Sequence, residues 1–205
     1  MICGLGNEAR VFASVASSVK GTEVRVLPDR WNMLTNDFKV TFHRSGEEPT
    51  FITCRPPLIT HNPEDAMKDV DIVVFMLPAS AHEVFLHALR PYIKPGVIII
   101  GLPGEPGFEF QVREALGDVM QQCTIMNFES SPWVCSSTES GVVCDVFGTK
   151  ETLLGAIQVS VSLLTWFDTV FSGPYLAFSI GVLLAFPFSD QCGNYISFGK
   201  GLKFG

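Results

Sequence analysis

The sequence predicts an α/β fold wound in both directions on a parallel sheet, and three observations predict it. Apolar runs alternate with helical patterns from Ile2 to Phe128. The run at residues 71–76, DIVVFM, is almost continuously apolar, as a parallel strand buried on both faces requires. Two glycines, Gly4 and Gly6, separate a short apolar start from a helical pattern.

The elements follow in order. A helix is expected over residues 7–19, where Ala9, Phe12, Ala13, Ala16 and Val19 form one small and apolar stripe. Gly21 stops it, and residues 23–27 read as a strand. Residues 39–55 alternate around Ser45-Gly46, an inserted β-hairpin. A short strand at 58–60 leads to Asn62-Pro63-Glu64-Asp65, a cap, a first-turn proline and acids that open a brief helix. After the strand at 71–76 come a helix at 80–89, a strand at 96–100, a helix at 107–116 and a strand at 123–128.

Strand, glycine turn, helix and strand at the start make the opening of a Rossmann-type dinucleotide unit. Gly4 permits the tight turn and Gly6 lets backbone approach a pyrophosphate over the helix N-terminus, where free N–H groups favour anions. Leu5 and Asn7 complete the turn, and Ala9 is the third small position of the pattern. Asp29 follows the second strand near the distance expected of an acid that holds an adenine-ribose hydroxyl. A plain turn residue is its alternative, and Arg30 beside it keeps NADP open. In this fold ligands lie beyond the carboxyl ends of the strands. Those ends fall at Gly4-Leu5-Gly6, Leu77-Pro78-Ala79, Gly101-Leu102-Pro103 and Phe128-Glu129, and the two proline loops form stiff walls beside a flat ligand. His82 stands in the helix start after Leu77-Pro78-Ala79 and can bond a ribose or phosphate; its alternative is a helix-surface histidine.

Composition excludes other classes. Of 205 residues, 47% are hydrophobic and 17% charged, enough for a core and too apolar for disorder. A formal net charge of −7 without a basic cluster excludes nucleic acid as partner. The 6 cysteines lack metal-ligand spacing, so no metal site is expected, and reduced thiols in a cytoplasmic protein fit best.

The stretches MLPASAHE, GLPGEPGFEFQVREALGD, FESSPWVC and VFGTK resemble the opine dehydrogenases of the octopine and tauropine type. The resemblance runs from Ile2 to about Ile157. It implies NAD(H) as cofactor and reductive condensation of an amino acid with a 2-oxo acid, pyruvate. The family's glycine turn has the form G-x-G-N-G-A-H. Gly4, Gly6, Asn7 and Ala9 fit it, while Glu8 replaces a glycine and Arg10 a histidine. The Glu8 carboxylate would repel a pyrophosphate, and Arg10 offsets it. By resemblance Glu129 and Cys135 sit at the amino-acid pocket, with Glu129 available to an ammonium or guanidinium. Glu105 replaces a glutamine of the octopine enzyme, and an extra carboxylate there favours a cationic amino acid. A solvated loop residue is the alternative for Glu105, and a buried small side chain the alternative for Cys135.

The resemblance divides the chain into a dinucleotide-binding domain, 1–157, and a divergent apolar tail, 158–205. The family's helical substrate domain, with its catalytic histidine and the acid that orients it, has no counterpart in that tail, which holds no histidine. The expectation is therefore an opine dehydrogenase-like oxidoreductase whose catalytic machinery is incomplete in this chain, with no catalytic residue assigned. The alternatives are a non-catalytic NAD-binding protein and another oxidoreductase of the same fold, of glycerol-phosphate or ketopantoate type. A membrane-associated protein is the third, since residues 169–189 carry no charge, although Gly173-Pro174, Gly181 and Pro187 interrupt them.

Overall fold

The structure, a computed structural model, describes residues 1–29, 37–44, 46–137, 143–150 and 153–158, and the backbone of 194–198. Arg30, Ser45, Cys192 and the apolar run 169–189 lie outside the described residues. No described helix is long and apolar enough to cross a membrane.

A large sheet carries the fold. Its parallel strands are β1 (Ile2–Cys3), β2 (Arg25–Leu27), β5 (Leu58–Ile59), β6 (Ile72–Phe75), β7 (Ile98–Gly101) and β8 (Thr124–Phe128). They stand in the order β5-β2-β1-β6-β7-β8, so the chain winds outward from β1 in both directions. Beyond β8 the sheet turns antiparallel with β11 (Leu153–Gln158) and then β12 (Asn194–Phe198). The register levels the carboxyl ends: Cys3 lies beside Leu27 and Phe75, Phe75 beside Gly101, and Gly101 beside Asn127.

Alternate residues of the short strands face opposite sides, and both sides are covered. Cys3, Val73, Phe75, Ile99 and Ile125 pack under α2 (Pro63–Met67), α3 (Ala79–Leu89) and α4 (Phe108–Leu116). Ile2, Val26, Val74, Ile98 and Met126 face α1 (Asn7–Ser17) through Ala9 and Ala13. Asn62 caps α2 by accepting a hydrogen bond from the Glu64 N–H at 3.0 Å, with Pro63 opening the helix as its sequence requires.

The expected inserted hairpin is present and is part of a larger unit. Strands β3 (Phe38–Phe42) and β4 (Thr50–Cys54) do pair antiparallel, but they belong to a second sheet, ordered β4-β3-β10-β9. Its other members are β9 (Trp133–Ser137) and β10 (Val143–Thr149), which the sequence pattern did not reveal. This sheet lies on the far side of α1: Val11 and Val15 pack against Val40, Trp133, Cys144 and Val146. The helix is thus enclosed on two sides, where a single apolar stripe was expected. Trp133 meets Phe12 edge-on, ring centroids 6.2 Å apart. Residues 194–198, within the expected tail, supply β12 to the large sheet.

Candidate functional site

Gly4 holds the first turn. Its φ of +106° favours glycine, and a Cβ there would meet the Met76 carbonyl oxygen at 2.5 Å and Leu77 Cδ2 at 2.9 Å. The turn therefore sits directly on the end of β6. Gly6, the N-cap of α1, differs: its φ is −65°, and nothing lies within 4 Å of where a Cβ would stand. The start of α1 is consequently open on that side, and no side chain caps it. Asp29, just past β2, accepts a hydrogen bond from the Leu5 N–H at 3.1 Å, which joins this carboxylate to the glycine turn.

Arg10 and His82 occupy different surroundings from those expected. Arg10 is 1% exposed, with its guanidinium carbon 5.9 Å from the Phe38 ring centre and its side chain bonded to Cys144. It is enclosed between α1 and the small sheet. His82 is 0% exposed. Its Nε2 donates to the Leu77 carbonyl at 3.0 Å and its Nδ1 lies 3.2 Å from Gln111 Oε1. Edge-on contacts with Phe75 and Phe108 complete the enclosure. With both ring nitrogens engaged inside the protein, His82 positions the Leu77-Pro78 loop instead of presenting a nitrogen to ribose or phosphate. Leu77 is buried, Pro78 exposed and Ala79 half-buried at the start of α3.

The next wall is the loop from Leu102 to Gly107. Its Leu102–Pro103 peptide is cis, and Glu105 takes a φ of +61° with its side chain exposed. Asn127, at the end of β8, braces the loop by donating to the Glu105 carbonyl at 3.2 Å and to Glu109 Oε2 at 3.4 Å. Gly104 lies so close to Asn127 Oδ1 that no Cβ fits, and its N–H donates to the Phe128 carbonyl at 3.0 Å. Glu129 is exposed immediately beyond, with its N–H bonded to the Leu154 carbonyl at 3.0 Å. Glu105 and Glu129 therefore stand on adjoining loops at the carboxyl ends of β7 and β8.

Glu8 links these loops to α1. Its carboxylate accepts from the Ser131 hydroxyl and faces Lys150, and burial raises its pKa against both of those effects. Cys135, half-buried on β9, is pushed up to about 11 by burial first and then by Glu8 and Cys144. Its thiol stays protonated near neutrality and is no nucleophile. Asn7 extends the same corner, its Oδ1 4.0 Å from the Cys144 thiol. No group of three metal-ligating side chains occurs among the described residues.

Ser131, Lys150 and Asn127 are the residues that sequence reasoning left without a role. Ser131 and Lys150 lie inside the stretches FESSPWVC and VFGTK that carried the resemblance, so the signal was present. Their meeting depends on β9 and β10, which were not foreseen.

No family model matches the chain. It is similar to the tauropine dehydrogenase of Arabella iricolor, at 41% identity over 77% of this chain and 42% of that protein. A solved octopine dehydrogenase with NADH and L-arginine superposes with a TM-score of 0.74 at 34% identity, over 82% of this chain and 45% of that one. The form with NADH and pyruvate gives 0.75 at 32%, over 85% and 48%. The chain thus spans less than half the length of the proteins it matches.

Proposed function

We infer that this chain, a homologue of the octopine and tauropine dehydrogenases, carries the NADH-binding part of an oxidoreductase that condenses an amino acid with pyruvate. The observation that carries the reading is the open side of Gly6 above the start of α1, with Asp29 bonded into the same turn at 3.1 Å.

The residues present fit the nucleotide. Gly4, Leu5, Gly6 and Asn7 offer backbone to a pyrophosphate at the positive end of an 11-residue helix. The Asp29 carboxylate is suited to a ribose diol and ill suited to a 2′-phosphate, which favours NAD(H) over NADP(H). Leu77, Pro78 and Ala79 wall the far side, held by His82. When bound, the cofactor supplies the hydride. The protein's part is to orient it and to present the substrate side: Glu129 and Glu105 attract the ammonium or cationic side chain of an amino acid, beside the neutral Cys135. Domain 1–157 is the unit proposed to do this, in the cytoplasm and without nucleic acid or a membrane.

Gly6→Val tests the reading. The open space accepts the new side chain, so the thermal unfolding midpoint should stay within a few degrees. NADH binding, followed by the cofactor's fluorescence, should fall below detection because the branched chain occupies the pyrophosphate approach. Unchanged affinity would overturn the site.

A further inference from the structure

We propose that Lys150 is the cation that receives a substrate carboxylate at this site. The inference rests on the proposed function, in which both substrates are carboxylic acids. The substrate-facing residues read so far are two carboxylates and a neutral thiol. They attract an ammonium and repel a carboxylate, so a positive group beside them would favour a carboxylate there.

Lys150 is placed for that task. Its backbone N–H donates to the Pro132 carbonyl at 2.8 Å, which fastens the end of β10 to the loop after Glu129. Thr149 beside it pairs with Trp133 across β9 and β10. The side chain is exposed and within electrostatic reach of Glu8, which also bonds the buried Ser131. Lys150 thus stands where the nucleotide turn, the β8–β9 loop and β10 converge.

Among the described residues the other cations serve elsewhere. Arg10 is enclosed, and Lys39 lies over Phe51 on the outer face of the small sheet. Arg25, Arg44 and Arg55 pair with Glu23, Glu47 and Asp37. Arg113 lies over Phe110 on α4. Lys20, Lys68, Arg90 and Lys94 fall in the connections leading into β2, β6 and β7, at the amino ends of the sheet.

The test uses the whole chain saturated with NADH, titrated separately with pyruvate and with L-arginine, with bound fraction read by ligand-observed NMR saturation transfer. Lys150→Met should weaken one of the two acids by about tenfold, the loss of one charge-assisted hydrogen bond, while Lys150→Arg keeps it within about threefold. The acid affected identifies which carboxylate Lys150 receives. NADH affinity should fall less than that of the affected acid in Lys150→Met, because the pyrophosphate is assigned to backbone groups and Lys150 reaches it only through space. Equal binding of both acids by Lys150→Met and the unmodified chain would overturn the inference. So would loss of NADH affinity alone, which would assign Lys150 to the nucleotide, or no saturable acid binding to the NADH complex. Failure of the unmodified chain to bind NADH would instead overturn the proposed function.

Discussion

At the scale of the residue, Glu8 is the feature that most separates this chain from the glycine turn it resembles. Its carboxylate is half-buried in the first turn of α1, where a helix N-terminus favours negative charge but a pyrophosphate is proposed to dock. Burial raises its pKa above the ordinary glutamate value of 4.5 despite Ser131 and Lys150. The folded chain therefore keeps the Glu8 proton to higher pH than the unfolded chain. Stability drawn from this group falls as pH rises from about 4.5 through the raised value and is lowest above it. Glu8→Gln should stabilise the fold near neutral pH and confer no gain in acid, a crossover visible in denaturation midpoints measured across that range. The same change should tighten NADH by about 1 kcal/mol, since a screened like charge leaves the phosphate approach. Weaker NADH binding would mean that Glu8 orders the turn through Ser131. That Gly4, Gly6 and Asp29 meet near one turn was legible, because the turn imposes its own chemistry. That Arg10 and His82 are buried was not, because distant strands and loops decide what a polar side chain near such a turn packs against.

At the scale of the element, the parallel strands and their helices were legible to within two or three residues, since continuous apolar runs and caps are local signals. The small sheet was half legible. The β3–β4 hairpin announces itself by alternation, but β10 joins β3 in parallel across about a hundred residues, and no local pattern encodes such a pairing. That pairing explains why α1 carries Val11 and Val15 opposite Ala9 and Ala13: small residues face the large sheet and larger ones fill the gap to the small sheet. Trp133 is the keystone of the second interface, 6% exposed against Phe12. Trp133→Ala should cost about 3–5 kcal/mol in urea denaturation, the range for removing a large buried aromatic. NADH affinity should fall with it, because α1 loses one of the two layers that hold its N-terminus. A cost below about 1 kcal/mol would show that the small sheet does not support α1.

At the scale of the whole molecule, the four loops at the level carboxyl ends of β1, β6, β7 and β8 are proposed to hold a nucleotide and one wall of a substrate site. Reduction of a carbonyl or imine also needs a group of suitable pKa to move a proton. The 4 histidines of these 205 residues do not supply it. His43 bonds Asp145 at 2.8 Å on the small sheet, and His82 is sealed in the core. His87 approaches Glu83 on the surface of α3, and His61 follows β5 at the sheet edge, with β2, β1 and β6 between it and the substrate loops. The Cys135 thiol, raised to about 11, is too weak an acid to take their place. Losing general acid–base help costs about 10²–10⁴ in rate. Incomplete positioning and exclusion of water cost more. The purified 205-residue chain should therefore bind NADH yet show no loss of NADH absorbance above the uncatalysed rate when pyruvate is added with arginine, alanine or taurine. Steady turnover would place a proton-transferring group within these residues. A charge-neutral variant of each exposed acid at the loops, Glu105→Gln and Glu129→Gln, would then show whether one of them is that group.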